Sequence, residues 1–195
     1  MIVVSSTGIR GLEDAIRRQP EIARKAAQFA VNDTIEWSRV RIKAGILQQV
    51  AVPADSITPA RFGITRRAKP NALEAALSAS NQGLGLIRFV TSPRVARAKS
   101  PTVRIKPGGA AVKMERAFLI PTPGAKTASF ALAVRAPGGL AKSRAARRIP
   151  GSDVYILSGP SPNQLLANIA PTLLPTIQTR LQQEYARQFE RLSRG

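Results

Sequence analysis

The chain has 195 residues, enough for one ordinary domain with a hydrophobic core, and 44% of them are hydrophobic, which excludes a disordered polycation. It contains neither cysteine nor histidine, so disulfides, thiol chemistry, zinc sites built on these residues and the usual general base near neutral pH are excluded. Thirty basic residues against 11 acidic ones give a net charge of +19, which predicts a polyanionic or acidic partner.

The first 70 residues are predicted to be mostly helical. Residues 11–19 form a short predicted helix, and Pro20 suits the first position of a longer one that ends near Val50, because no backbone N–H is needed there. The apolar face of this long helix repeats at helical spacing. Its members are Val31, Ile35, Ser38, Ile42 and Ile46. Residues 53–70 are predicted to be a polar, basic connection.

Between residues 71 and 157 the hydrophobic period changes to alternation. Short β-type runs are bounded by Gly, Pro, Asn or Ser, and the spacing leaves no room for crossover helices. We therefore predict a meander of five or six antiparallel strands, with one turn at Pro107-Gly108-Gly109 and with Phe89 and Phe118 in the core. The runs of this meander are residues 73–79, 86–90, 103–105, 112–114, 117–120 and 130–134, and a further run lies at 154–157.

After a turn at residues 158–162 the chain is predicted to return to helix. Residues 163–170 form a short segment, and an amphipathic stripe follows from Pro175 to Leu192. The predicted class is α+β, with a small antiparallel β-sheet packed with a long N-terminal helix and a C-terminal amphipathic helix. We expect a single domain over 1–195, with an N-terminal helical region at 1–52, the sheet and its basic loops at 71–157, and C-terminal helices at 162–192.

The motifs that could carry catalysis are weak. Gly83-Leu84-Gly85 lacks the third glycine, the lysine and the hydroxyl of a phosphate-binding loop, so we predict a hairpin turn there. Ser161 has no histidine to activate it and is predicted to be a turn residue or a helix cap. The carboxylates are scattered along the sequence. A two-carboxylate hydrolase or a two-metal nuclease would need several acids that converge in one cleft. We predict no enzyme activity, no catalytic or metal-binding residues and no cofactor.

The basic residues are concentrated in the middle of the chain. Residues 75–152 hold 14 basic residues and one acid, and seven of the 14 lie in two predicted loops, 91–101 and 136–151. Long loops are often functional, and basic loops without a sequence-reading module favour contacts to backbone phosphates. The candidate contacts to DNA in a lumen or to an acidic partner are Arg94, Arg97, Lys99, Lys142, Arg144, Arg147 and Arg148.

Four strings, in this order, resemble the minor tail protein Z family, the tail completion or neck proteins of tailed phages. They lie at residues 26–34, 103–107, 117–120 and 154–161, and an amphipathic C-terminal helix with Glu184, Phe189 and Leu192 follows. The resemblance covers about residues 20–192. In the family the Gly-Pro-Ser of the last string is followed by valine, where this chain has Pro162.

The resemblance implies a virion structural protein without catalysis, in the neck of the tail and assembled in the host cytoplasm. Such proteins form a homo-oligomeric ring that joins the head connector to the tail tube. The implied partners are copies of the same chain, head-connector proteins, tail-terminator or tail-tube proteins, and the DNA backbone in the channel. No membrane is expected, because no apolar run approaches the length of a membrane span. Charge alone favours an alternative, a free-standing basic protein that binds the phosphate backbone of nucleic acid.

Overall fold

The computed structural model describes residues 1–92, 98–122, 129–140 and 145–194. As predicted, it is an α+β structure that combines antiparallel sheets with a long N-terminal and a C-terminal helix. The described residues form helices α1 (Leu12–Arg18), α2 (Pro20–Gln49) and α3 (Pro162–Ser193). The strands are β1 (Ile2–Ser5), β2 (Phe62–Arg66), β3 (Glu74–Ala79), β4 (Thr102–Val103), β5 (Val112–Lys113), β6 (Ala117–Pro121), β7 (Phe130–Arg135), β8 (Ala146–Arg148) and β9 (Val154–Leu157).

The chain divides into two compact units. Unit 1 comprises Met1–Ile46, Thr58–Ser80 and Leu166–Gly195, and unit 2 comprises Leu47–Ile57 and Asn81–Leu165. The described strands form three antiparallel sheets rather than one meander. Unit 1 holds a sheet of order β1-β3-β2, and unit 2 holds the two-stranded β4-β5 and a four-stranded sheet of order β6-β7-β9-β8.

The long helix α2 supplies much of the core of unit 1. It begins at Pro20, and its predicted apolar face is confirmed, because Val31, Ile35 and Ile46 are fully buried. Ala23, Ala26, Ala27 and Ala30 are buried as well, and such small residues let neighbouring elements approach closely. The face of α3 that carries Ile177, Leu181 and Tyr185 is also buried in this unit.

Two strands of unit 1 lie where the sequence predicted helix or connection. β1 pairs with β3 in the register Ile2↔Leu77, and β2 pairs with the other side of β3. Four residues are too few for a period to be visible in β1, and its partner strand lies some 70 residues along the chain. Within β2, Phe62 is buried and Ile64 partly buried, but the basic residues around them obscure the alternation.

Helix α3 is continuous through Pro171 and Pro175, although two C-terminal helical segments were expected. Each proline removes one intrahelical hydrogen bond. Both prolines and Ala167 are exposed, so water can bind the carbonyl oxygens that lose their partners. The helix begins in a capping box, in which Gln164 N donates to Ser161 Oγ at 3.2 Å and Ser161 N donates to Gln164 Oε1 at 2.9 Å. Ser161 is thus a helix cap, and Pro162 occupies the first helical position.

Two predictions for residues 83–89 of unit 2 are wrong. Gly83-Leu84-Gly85 is not a hairpin turn, because it lies alongside residues 158–160, with Leu84 N donating to the Pro160 carbonyl at 3.2 Å. A Cβ on Gly83 would stand 2.7 Å from the carbonyl oxygen of Gly159, so the close approach requires glycine. Residues Leu86–Phe89 form a 3-10 turn rather than a strand, since Leu86 and Phe89 are the buried pair at spacing three.

Candidate interaction surface

The structure describes three of the seven predicted basic contacts. Lys99, Arg147 and Arg148 are exposed and belong to unit 2. The other four, Arg94, Arg97, Lys142 and Arg144, lie outside the described residues.

Arg147 and Arg148 lie on a strand and not in a loop. They belong to β8, the edge strand that pairs with β9 in the register Arg147↔Ile156 and Arg148↔Tyr155. Adjacent residues of a strand point to opposite faces of the sheet. Arg148 Nε donates to the Ser152 carbonyl at 2.7 Å and so holds the turn between the strands, in which Gly151 has a φ of +73°. The Pro150-Gly151 pair before the run 154–157 is the sequence signal that could have predicted this hairpin.

Lys99 lies at the other edge of the same sheet. It forms an isolated antiparallel bridge with Phe118 on β6, and Leu119 N donates to the Ala98 carbonyl at 3.0 Å. Four strand spacings of about 4.8 Å separate this segment from β8, which is roughly 19 Å across the sheet. The structure therefore does not bring Lys99 into one cluster with Arg147 and Arg148, but places them at opposite rims.

Sequence reasoning missed a third basic element, the hairpin of β4 and β5. Its predicted turn is confirmed, with Gly108 at a φ of +70° and Gly109 N donating to the Lys106 carbonyl at 3.1 Å. Because β5 is exposed and residues 104–108 are exposed too, the hairpin presents Arg104, Lys106 and Lys113 to solvent. The density of basic residues on either side of Pro107-Gly108-Gly109 was the available signal.

The positive charge of unit 2 is largely uncompensated. This unit carries 14 basic and three acidic side chains, a net charge of +11. Across its described residues one ion pair forms, between Arg135 Nε and Asp153 Oδ1 at 3.5 Å, and Arg135 is exposed. A field of one sign costs self-repulsion unless an anionic partner or counterions supply the balance.

Unit 1 is basic as well, but five of its eight acidic side chains form ion pairs. Glu184, whose side chain is only 4% exposed, bridges Arg180 and Arg187 on α3. Asp33 on α2 accepts from Gln188 at 2.8 Å and from Arg187 at 3.2 Å. The Glu184 pairs lie within α3 and the Asp33 contacts join α2 to α3, so the role of both is structural.

Two ionisable side chains of unit 1 have shifted pKa values. The hydrogen bond from Arg67 lowers the pKa of Glu36 below its ordinary value of 4.5, partial burial opposes this effect, and Arg39 reinforces it from 3.0 Å. Burial raises the pKa of Tyr185, because the phenolate form loses its hydration. Among the described residues, two arginines and partial burial account for the shift of Glu36, and burial alone accounts for that of Tyr185.

A shallow depression of about 400 Å³ lies beside the first turn of α3 within unit 2. Its described lining includes Asn81, Ser158, Asn163 and Gln164, all neutral, together with the capping residue Ser161. Asn163 Nδ2 donates to Asn81 Oδ1 at 2.7 Å across it. The depression therefore presents amide and hydroxyl groups, which can hydrogen-bond a ligand, and no ionisable side chain among the residues described.

The comparisons with known proteins returned nothing. No family model matches this chain, and neither a curated protein nor a solved structure matches it. Over the part of the chain that the structure describes, no group of three or more acidic side chains could hold a metal ion, and no helix is long and apolar enough to cross a membrane.

Proposed function

We propose that the chain is a virion structural protein, a tail completion or neck subunit that forms a ring and joins the head connector to the tail tube through protein–protein contacts. The observation that carries the proposal is the uncompensated charge of unit 2, with 14 basic and three acidic side chains. In a ring, the copies of a basic surface act together, and DNA in the channel or an acidic neighbouring subunit supplies the missing negative charge.

The strings that resemble the minor tail protein Z family support the proposal through their positions in the fold. Residues 26–34 lie in the buried part of α2, and residues 117–120 lie in β6. Residues 103–107 lead from β4 to the tip of the basic hairpin, and residues 154–161 run from β9 to the cap of α3. The strings therefore lie in a long helix, in strands and at the start of a second long helix.

The alternative is a free-standing protein that binds the phosphate backbone of nucleic acid. The exposed Arg104, Lys106 and Lys113 of the β4–β5 hairpin favour it, because a two-stranded ribbon of this kind can follow a groove or a backbone. On this alternative the chain binds bare duplex as a monomer or dimer, and its affinity falls steeply with salt.

Assembly state separates the two functions. The protein is to be purified alone and co-expressed with the products of its neighbouring genes, then analysed by native mass spectrometry and electron microscopy. The proposed function predicts a ring that co-purifies with head-connector or tail-tube proteins, located in the virion neck. A monomer or dimer that binds duplex DNA tightly at physiological salt and joins no virion protein contradicts it.

Charge reversal tests the basic surface itself. Arg147→Glu with Arg148→Glu should reduce head–tail joining, and infectious titre with it, because both side chains are exposed on β8. The matched control is Arg17→Glu with Arg18→Glu, which reverses another adjacent and exposed arginine pair in α1 of unit 1. An unchanged titre for the β8 variant, or an equal loss in the control, contradicts a role for this surface.

A further inference from the structure

One row of side chains crosses the whole four-stranded sheet of unit 2. Residues directly opposite one another in antiparallel strands share a face, so the pairings Lys99↔Phe118, Phe118↔Ala133, Ala133↔Ile156 and Ile156↔Arg147 define a single line on one face. The line has a cation at each end and apolar residues between them. In order, it consists of Lys99, Phe118, Ala133, Ile156 and Arg147.

On the face that carries this row, Ala133 at the centre is fully buried, and the larger apolar side chains on the strands beside it are only partly buried. On the opposite face Leu119 and Leu132 pair with each other and are fully buried. On the face of the row, Phe118, Ile120 and Ile156 remain partly exposed. Phe118, predicted as a core residue, is therefore part of an apolar strip that solvent reaches. We call this surface the outer face, defined by Lys99, Phe118, Ile120, Ala133, Ile156 and Arg147.

The width of the outer face suits one helix. Its two rims are roughly 19 Å apart by the strand spacing, and an α-helix with its side chains is about 10–12 Å in diameter. The remaining width on each side is within reach of a lysine or arginine side chain. A helix lying along the strands would thus contact the apolar strip below and a cation on either flank.

The chemistry of the outer face specifies the partner. Arg135, on β7 two residues beyond Ala133, also lies on this face, where Asp153 pairs with it at 3.5 Å, and among the described residues no ion pair forms at Lys99 or Arg147. A nucleic-acid backbone laid on Phe118 and Ile156 would lose hydration over apolar side chains that return no hydrogen bond. An apolar centre with a charged rim is the usual anatomy of a protein interface.

We propose that the outer face binds an amphipathic helix of a partner protein, with its apolar stripe on Phe118 and Ile156 and acidic side chains on both flanks that pair with Lys99 and Arg147. This proposal concerns a surface of unit 2 alone and does not depend on the virion function. A ring subunit and a free-standing protein would both present it.

The probe is a synthetic peptide of about 20 residues, long enough to form a helix, with a leucine stripe flanked on both sides by glutamate. Its control is a peptide of the same composition in which the order is scrambled so that the stripe is lost. The full-length protein should bind the striped peptide and not the scrambled one. Equal binding of the two peptides means attraction by charge alone and overturns the proposal.

Two variants locate the binding. Lys99→Glu with Arg147→Glu should lower the affinity for the striped peptide by at least about tenfold. Arg104→Glu with Lys113→Glu makes the same charge change on the β4–β5 hairpin and should change this affinity by less than about twofold. Phe118→Ser should weaken binding about tenfold with the cations intact. Because Phe118 is partly exposed, this variant is expected to fold, and circular dichroism melting verifies that it does.

Other occupants of the outer face would give distinct results. Duplex DNA bound through Lys99 and Arg147, with the peptide unbound, would identify a nucleic-acid surface and overturn the proposal. Self-association of the protein that Phe118→Ser abolishes, again without peptide binding, would assign the face to a second copy of the chain and overturn it too. Failure of ring assembly in virions, by contrast, would contradict the proposed function and would not affect this inference.

Discussion

Glu36 shows how one carboxylate of unit 1 is held by two arginines. Arg39 lies one turn along α2 at 3.0 Å, and Arg67 reaches it from beyond β2. Both lower the energy of the ionised form, so the folded state has a lower pKa than the ordinary 4.5 despite partial burial. A lowered folded-state pKa means that the stabilisation is present above 4.5 and is lost as pH falls through the folded-state value.

The substitution Glu36→Gln tests this effect. It should lower the free energy of unfolding at neutral pH by less than about 1 kcal/mol, because these ion pairs are largely open to water. The difference from the wild type should vanish at an acid pH below the folded-state pKa, where the carboxylate is protonated in both states. Urea unfolding at both pH values measures it, with Glu115→Gln, an exposed carboxylate, as control. A deficit that persists at acid pH would mean that Gln disturbs packing.

At the level of elements, the pair of salt bridges that Glu184 forms within α3 of unit 1 is asymmetric in burial. The Glu184 side chain is 4% exposed, whereas those of its partners Arg180 and Arg187 are 40% and 60% exposed. Losing Glu184 leaves two arginines that water can solvate. Losing the arginines leaves a buried carboxylate without a partner, which is the more costly defect.

Two variants measure this asymmetry. Glu184→Gln should lower the free energy of unfolding by about 1–2 kcal/mol, through the loss of hydrogen bonds to charged groups. Arg180→Met with Arg187→Met keeps the aliphatic length of both side chains and should cost more, about 3 kcal/mol, since Glu184 is then unpaired. Denaturant unfolding of both variants gives the comparison. A larger loss for Glu184→Gln would show that hydration of the arginines does not decide the energetics.

The elements differ in how far the sequence predicts them. Helices α2 and α3 are long and periodic, so a buried face such as Val31, Ile35 and Ile42 identifies α2 without knowledge of its neighbours. Strands β1 and β8 have four and three residues and depend on partners elsewhere in the chain. The 3-10 turn at Leu86–Phe89 buries two residues at spacing three, which a short apolar run cannot distinguish from a strand. Local periodicity therefore predicts the long helices, and tertiary pairing decides the short elements.

For the molecule as a whole, the excess of charge should be measurable in its stability. Because unit 2 carries a net charge of +11 and one described ion pair, screening by salt should relieve self-repulsion. The Tm should rise by several degrees between about 0.05 and 0.5 M NaCl. For a chain of this length, each kcal/mol of added unfolding free energy raises the Tm by about 2–4 °C. Scanning calorimetry over a salt series measures it. The variant in which Arg104, Lys106 and Lys113 are replaced by Gln should show a weaker salt dependence, and a Tm that falls with salt would contradict this account.

The candidate surface was only partly predictable from the sequence. Composition locates the basic residues in the middle of the chain, and three of the candidate contacts, Lys99, Arg147 and Arg148, are exposed. It cannot say that Lys99 and Arg147 share one face at opposite edges, because that depends on the register of four strand pairings, and a slip of one residue reverses the face of every side chain. Phe118 shows the same limit, since apolar character alone does not distinguish the core face from the outer face.

The two rims of the outer face differ in whether they keep a cation when the strand register shifts. On β8 two arginines are adjacent, so a one-residue slip of this edge strand in either direction still leaves an arginine on each face. The opposite rim has a single cation, because Ala98 and Ser100 flank Lys99. During evolutionary drift, the β8 rim can therefore keep a cation on the outer face after one shift of pairing, whereas the Lys99 rim cannot.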